Sequence, residues 1–327
     1  MINLKTKFAN IELRNPLIVA SCGLSSSPRR VLEMENAGAA AVVLKSLFEE
    51  SIAQEIAHLN FTSDHGEAVD YMHGYMRAEK LREYAQLIKA CKKCCSIPIF
   101  ASICCHSRGE WIAFAREIER AGADALELNI MGLCAQREYM DGDYERRHCE
   151  IVGEVSRLVD IPIIVKLGAN LTNPVNLTGR LQSWGAAGAV MFNRPYQTDI
   201  NIEQMKYSSG EVLSDSSLLP TSLRWVGLAS AEIDNFPLAL SGGVNSGADV
   251  VKSLLVGASV VEVCSVLYRE GCSWIGTALK SIEEWSARHG FYSVSEFRGR
   301  MNAAKPEYAE RLERLQFMKY FESVDVI

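Results

Sequence analysis

The chain has 327 residues, 48% of them hydrophobic, and 34 Lys and Arg against 40 Asp and Glu give a formal charge of -6. That balance predicts a soluble globular protein with a sizeable core, and no apolar run approaches the roughly 20 residues that cross a bilayer, so no membrane partner is expected. The two charge signs are interspersed and leave no basic footprint for nucleic acid.

Ten cysteines without secretory features point to free thiols in a reducing cytoplasm. The first apolar strand begins within about 16 residues, which leaves no room for a signal peptide or membrane-anchoring extension.

In chain order the apolar runs are LIVAS (17–21), AVVLKS (41–46), IPIFASI (97–103), ALELN (125–129), IPIIVKL (161–167), AVMFN (189–193), FPLALSG (236–242) and VVEVCS (260–265). They are continuously apolar, as parallel strands covered on both faces should be. Four are entered through nearly the same junction: Ala37-Gly38-Ala39, Ala121-Gly122-Ala123, Gly185-Ala186-Ala187-Gly188 and Gly257-Ala258. Such an echo marks one structural unit used repeatedly. Eight strands alternating with helices predict an α/β chain forming a single (β/α)8 TIM barrel domain over residues 1–327. Loops are inserted at about 48–76 and 194–220, and a helical tail covers about 295–327. Within the tail, Tyr308, Leu312, Leu315, Met318 and Phe321 form one apolar stripe, suited to packing on its own barrel or to a homodimer contact.

Two cysteine clusters invite a metal reading: Cys91, Cys94 and Cys95, then Cys104, Cys105 and His106. The first ends a helix and the second follows the next strand's exit, which separates them by roughly 20 Å, so no metal is expected. His65, Glu67, Asp70 and His73 of the first inserted loop suit a lid or a solvated turn better than a metal site.

Polar residues close several apolar strands at the end where barrel active sites lie: Ser21, Lys45, Asn129, Lys166 and Asn193. Two rim lysines need an anionic ligand or an internal salt bridge to offset desolvation. The segment LALSGGVNSGADVVKSLLVGASVVEVCSVLYREG (238–271) adds a β-turn-α-β unit with small residues after both strands. Gly242 and Gly243 would let backbone N–H groups approach a phosphate, with more donors from the segment opening at Ser265; alternatively they only turn the chain.

NPLIVAS (15–21), AGAAAVVLKSLFEE (37–50), AGADALELNI (121–130), IPIIVKL (161–167), AGAVMFNRPYQTDI (187–200), LPTSLRW (219–225) and the segment 238–271 resemble in order and spacing the FMN-dependent dihydroorotate dehydrogenase family, closest to its dihydroorotate dehydrogenase-like branch. The resemblance implies FMN as cofactor and a cytoplasmic oxidoreductase acting on a CH–CH bond of a small molecule, with dihydroorotate to orotate in pyrimidine biosynthesis as the family reaction. It further implies that Ala20 and Ser21 line the flavin, and that Lys45 reaches the ring and the substrate edge. Asn129 would sit beside the ring, Lys166 would face N1 and O2, and Asn193 would contact substrate or flavin. Gly242, Gly243, Cys264 and Ser265 would hold the phosphate through backbone donors.

The chain departs from the family at the catalytic loop. Family members carry Asn-x-Ser-Cys-Pro-Asn or a serine variant after the fourth barrel strand, whereas this chain reads Asn129-Ile130-Met131-Gly132-Leu133-Cys134. Glycine holds the base's position, and Cys134 is the candidate base, ahead of Tyr139, Tyr196 and His106; a free thiol needs a cationic neighbour for that role. The Asn-rich substrate loop of the family is replaced by SDHGEAVDYMHGYM (63–76), so the substrate can differ from dihydroorotate. Two alternatives stand beside this reading. One is a phosphate-binding barrel lyase or aldolase using Lys166 as a Schiff base, and the other is a flavin-binding protein without turnover.

Overall fold

The four repeated glycines all adopt left-handed backbone in the computed structural model, with φ of 112° at Gly38, 91° at Gly122, 101° at Gly185 and 113° at Gly257. The model describes residues 2–49, 66–104, 108–132, 135–195 and 197–314. Each glycine follows a helix: α1 (Pro28–Asn36), α3 (Arg108–Ala121), α5 (Pro174–Ser183) and α7 (Gly247–Leu255). Here α2 is Gly66–Cys94 and α6 is Leu219–Glu232.

At every one of these ends the residue after the glycine donates its N–H to the carbonyl five residues back: Ala39 to Met34, Ala123 to Ile118, Ala186 to Leu181 and Ala258 to Ser253. The glycine N–H donates three back, to Glu35, Glu119, Gln182 and Leu254 respectively. This double bond is the Schellman ending, and it needs a residue that tolerates positive φ. The echo in the sequence is therefore one turn, used at these four passages from helix to strand.

The strands so entered are β4 (Ala41–Val43), β7 (Ala125–Asn129), β9 (Gly188–Asn193) and β13 (Val260–Val263). With β3 (Leu17–Val19), β6 (Ile99–Cys104), β8 (Ile163–Gly168) and β12 (Leu238–Ser241) they make the eight parallel barrel strands. The order β4-β3-β13-β12-β9-β8-β7-β6 closes through a β4–β6 pairing, giving the (β/α)8 barrel. A short β5 (Leu47–Phe48) continues the line of β4 along β6, where Leu47 faces Ile103 and Phe48 faces Cys104. The gap between β4 and β5 falls at Leu44–Ser46.

Two antiparallel hairpins stand outside the barrel sheet. β1 (Thr6–Phe8) and β2 (Ile11–Leu13) turn through Ala9 and Asn10, both at positive φ. β10 (Thr198–Asn201) and β11 (Lys206–Ser209) are exposed throughout and lie within the inserted segment 194–220. The first inserted segment is shorter than expected, because residues 66–76 are helical and begin α2. The remaining helices are α4 (Asp143–Val155), α8 (Ser265–Glu270), α9 (Trp274–Arg288), α10 (Val294–Phe297) and α11 (Pro306–Glu313).

The described part of the tail packs on its own chain, with Leu312 of α11 seated over Gly227 of α6, where a methyl group would sit 2.9 Å from it. Leu315, Met318 and Phe321 lie outside the described residues, as do His65, Cys105, His106, Cys134 and Tyr196. No described helix is long and apolar enough to cross a membrane.

The chain divides into two compact units. One comprises Ile18–Lys166 and Arg180–Ala187, the other Met1–Leu17, Leu167–Gly179 and Gly188–Ile327. The first buries Val19, Val42, Phe100, Leu126, Trp111 and Phe114; the second buries Phe8, Leu238, Leu240, Val261, Ile275 and Phe297.

The Schellman glycines predict unequal costs. A methyl group at Gly122 meets nothing within 4 Å, so Gly122→Ala should lose only the backbone penalty, about 1 kcal/mol. At Gly257 the same methyl group falls against Ser230 Oγ and Cβ, and the loss should reach about 2–3 kcal/mol. Urea unfolding of the two variants checks this, and equal losses would show that Ser230 simply moves aside.

Candidate functional site

In the first unit the rim residues are joined by polar groups from five neighbouring strands or the segments that follow them. Ser21 and Ser46 share a hydroxyl contact of 2.9 Å, and the Ser46 N–H donates to Ser21 Oγ at 2.9 Å. Ser46 Oγ lies 2.8 Å from Ser102 Oγ, which donates to Glu127 Oε1 at 3.2 Å. Lys166 Nζ is 3.8 Å from the same carboxylate oxygen, with the two side chains 7% and 1% exposed.

The β-register brings Asn129 opposite Lys166 on β7 and β8, and Asn129 is buried as well. Ala20 is buried, Ser21 partly so, and Lys45 is exposed in the break between β4 and β5. Tyr84 of α2 closes the line from behind: its hydroxyl donates to Ser102 O at 3.1 Å and accepts from Ser102 N at 2.9 Å. Burial above all, with the backbone bond to Ser102 opposing, pushes the Tyr84 phenol well above its ordinary range, so it stays protonated.

Thus Lys166 does make an internal salt bridge, one of the two reasons for a buried lysine open at the sequence level. The partners Ser46, Ser102, Glu127 and Tyr84 were missed. Ser102 and Glu127 did carry a signal, since each is a polar residue inside an otherwise apolar strand run, a pattern more informative than any exposed charge.

A second missed residue is His148 of α4, fully buried. Its Nδ1 lies 2.7 Å from Tyr144 O and its Nε2 2.8 Å from Ile130 O. Desolvation dominates and lowers its pKa, although both carbonyls favour the proton. The ring anchors the backbone where the segment Ile130-Met131-Gly132 leaves β7. A methyl group at Gly132 would meet nothing within 4 Å.

In the second unit the glycine turn after β12 and the segment after β13 are tied into one framework. Gly242 and Gly243 have φ of 94° and 74°, so two successive amides follow left-handed backbone, the geometry of an anion-binding concavity. Gly243 admits no side chain, because a methyl group there would strike the Leu219 backbone nitrogen.

Asn245 Nδ2 donates to Gly243 O at 3.0 Å, and Arg269 Nη1 donates to Asn245 Oδ1 at 3.0 Å. Arg269 Nη2 also donates to Ser214 O at 2.8 Å, while Ser214 N and Oγ donate to Ser265 Oγ at 2.9 and 3.0 Å. Asn193 is half-buried at the end of β9, its Oδ1 accepting from Arg194 N at 2.9 Å.

The helix after the turn is capped by Ser246 and Asp249, and the Asp249 carboxylate accepts from Asn245 N, Ser246 N, Ser246 Oγ and Lys252 Nζ.

The fold is a closed parallel β/α barrel, with a buried lysine–glutamate pair in the first unit and a glycine turn after β12 in the second. The model of the dihydroorotate dehydrogenase family matches residues 3–285, and the chain belongs to that family. Among curated relatives it is 28% identical over 313 residues to the catalytic subunit of dihydroorotate dehydrogenase B (NAD(+)) of Methanothermobacter thermautotrophicus, covering 90% of this chain and 97% of that one. The proteins of the same name from Pyrococcus horikoshii and Thermoplasma acidophilum are 27% and 23% identical over 307 and 301 residues, covering 90% and 91% of this chain and 97% and 99% of theirs.

Two predictions follow from these contacts. Lys166→Met strands a buried carboxylate and should cost about 3–5 kcal/mol, whereas adding Glu127→Gln should restore part of the loss. A double-mutant cycle by urea unfolding measures this, and additive losses would mean that the pair is not coupled. Burial raises the Asp249 pKa, but the bonds from Lys252, Ser246 and the Asn245 amide outweigh it and hold the carboxyl below its ordinary value of 3.8. The stabilisation is therefore complete above that value and lost as pH falls through the lower, folded one. Asp249→Asn should flatten the acid limb of a thermal-melt pH profile, and an unchanged limb would contradict the assignment.

Proposed function

We propose that this chain is one FMN-binding barrel domain catalysing oxidation at a CH–CH bond of a small molecule, in the manner of dihydroorotate dehydrogenase. The observation that carries the reading is Lys166, a cation almost wholly withdrawn from water at the carboxyl end of a barrel strand. Its carboxylate neighbour Glu127 lies 3.8 Å away, and a cation held out of water at a strand's carboxyl end suits a ligand that takes up negative charge. The residues fit FMN. Consecutive left-handed glycines suit its phosphate, with Cys264 and Ser265 adding backbone donors, and Lys166 with Asn129 suits the pyrimidine edge of the ring. When bound, FMN supplies the hydride acceptor.

The chain's own residues then have separable tasks. Lys166 would favour negative charge at N1 and O2, while Ala20 and Ser21 line the ring and Lys45 and Asn193 meet the substrate. Cys134 would accept the substrate proton, its loop held at the base by the contact between His148 and Ile130. Lys166 is ion-paired with Glu127, and membership of the dihydroorotate dehydrogenase family weighs against the aldolase alternative. The catalytic subunits named above act in their own organisms with NAD(+); a cytoplasmic location and dihydroorotate as substrate rest on that kinship.

The test is spectral. Purified protein should carry flavin absorbance and release FMN on heating, and anaerobic dihydroorotate should bleach it. Cys134→Ala should slow bleaching about 100-fold or more. Gly132→Cys, which meets no steric obstacle, should speed it if dihydroorotate is the substrate. Protein that neither contains nor takes up FMN would overturn the reading, and bound FMN that no dihydropyrimidine bleaches would overturn the substrate.

A further inference from the structure

The second unit contains a cavity of about 530 Å³ at the amino ends of β12 and β13, bordered by the residues that enter those strands: Phe236 and Pro237 before β12, and Gly257 and Ser259 before β13. The glycine turn and Ser265 follow the opposite, carboxyl ends of the same two strands, so the cavity is separate from the candidate phosphate turn. Its polar wall comes from Lys7 and Asn10 of the N-terminal hairpin, Asn235, and Arg298 and Asn302 of the segment after α10. Among the described residues no aspartate or glutamate lines it.

The donors there have few partners among the described residues. Among the described residues, the only side-chain partner of Arg298 is Ser259 Oγ, which accepts from Nη1 at 3.2 Å, and the rest of the guanidinium fork remains available. Arg298 is exposed at the cavity's edge, partial desolvation lowers its pKa, and it has no ion-pair partner among the described residues. Lys7 likewise has no ion-pair partner among the described residues, and the only carboxylate in register with it is Glu12 on β2.

Asn302 uses its Oδ1 to accept from Ala304 N at 3.2 Å, which leaves Nδ2, positioned over Gly299, as a donor. Asn10 and Asn235 sit at φ of 64° and 55°, a conformation asparagine tolerates better than most side chains. Two cations and three amides around an acid-free concavity match a group with several acceptor oxygens and more than one negative charge. A planar guanidinium fork serves such oxyanions well.

We propose that this cavity is a second ligand site, which binds the phosphate group of a small molecule at the amino end of the barrel. The volume exceeds what a bare phosphate needs and falls in the range of small-metabolite sites, roughly 300–1,000 Å³. A phosphate monoester therefore fits better than the free ion.

Calorimetric titration of protein saturated with FMN tests the site while any flavin-phosphate cradle is filled. The probes are inorganic phosphate and ribose 5-phosphate at constant ionic strength, with chloride as the reference. Saturable binding at one site per chain is expected, tighter for ribose 5-phosphate. Arg298→Gln and Lys7→Ala should each weaken it about tenfold or more. Equal affinity for both probes would retain the site and assign it to phosphate itself. The proposal is overturned by heats no larger than those of chloride, or by undiminished affinity in both variants. Lys7 is exposed and outside the core, so Lys7→Ala remains a fair test should Arg298→Gln fail to fold. The experiment stands apart from the flavin assignment: protein devoid of FMN can be titrated in the same way, with the same two variants deciding.

Discussion

A lysine and a glutamate shut inside a barrel constrain everything around them. Removing both charges from water costs several kcal/mol each, and their mutual attraction offsets this only when further polar groups complete the shell. Here the shell is a line of hydroxyls, from Ser102 on β6 through Ser46 to Ser21 beyond β3, backed by Tyr84. Each member comes from a different strand, so the parallel register must be correct across β3, β4, β6, β7 and β8 for the line to exist. Lys166 is thereby held almost dry within β8.

In the second unit side chains brace the glycine turn after β12. Left-handed glycines give the shape, and side chains give the rigidity. Arg269 bridges Asn245 and Ser214, and through them couples the turn after β12 to the segment after β13. At the other end of the same strands the donors are arranged without such mutual bonding. Arg298 and Lys7 border an open concavity that no acid lines among the described residues.

Much of the barrel was legible beforehand because its signals are local. Continuous apolar runs mark strands buried on both faces, and ALELN and VVEV coincide with β7 and β13. The Ala-Gly-Ala echo marks helix ends, since only glycine takes the required φ without cost. The helical start of α2 was not legible, because Gly66 and Gly74 with several polar residues read as loop, and a helix anchored further along by Tyr84 and Ile88 extends back through them.

Residue types and their order along the chain thus determined the barrel, the turn glycines, the rim lysines and the membership of an FMN-using family, because strand periodicity and helix termination act over a few residues. Only the tertiary structure decided what Lys166 is paired with, that His148 anchors the Gly132 segment, and that Lys7 and Arg298 meet at one cavity. Those partners are 18 to 291 residues apart in the chain, and nothing but strand register and packing sets the distances between side chains on different elements.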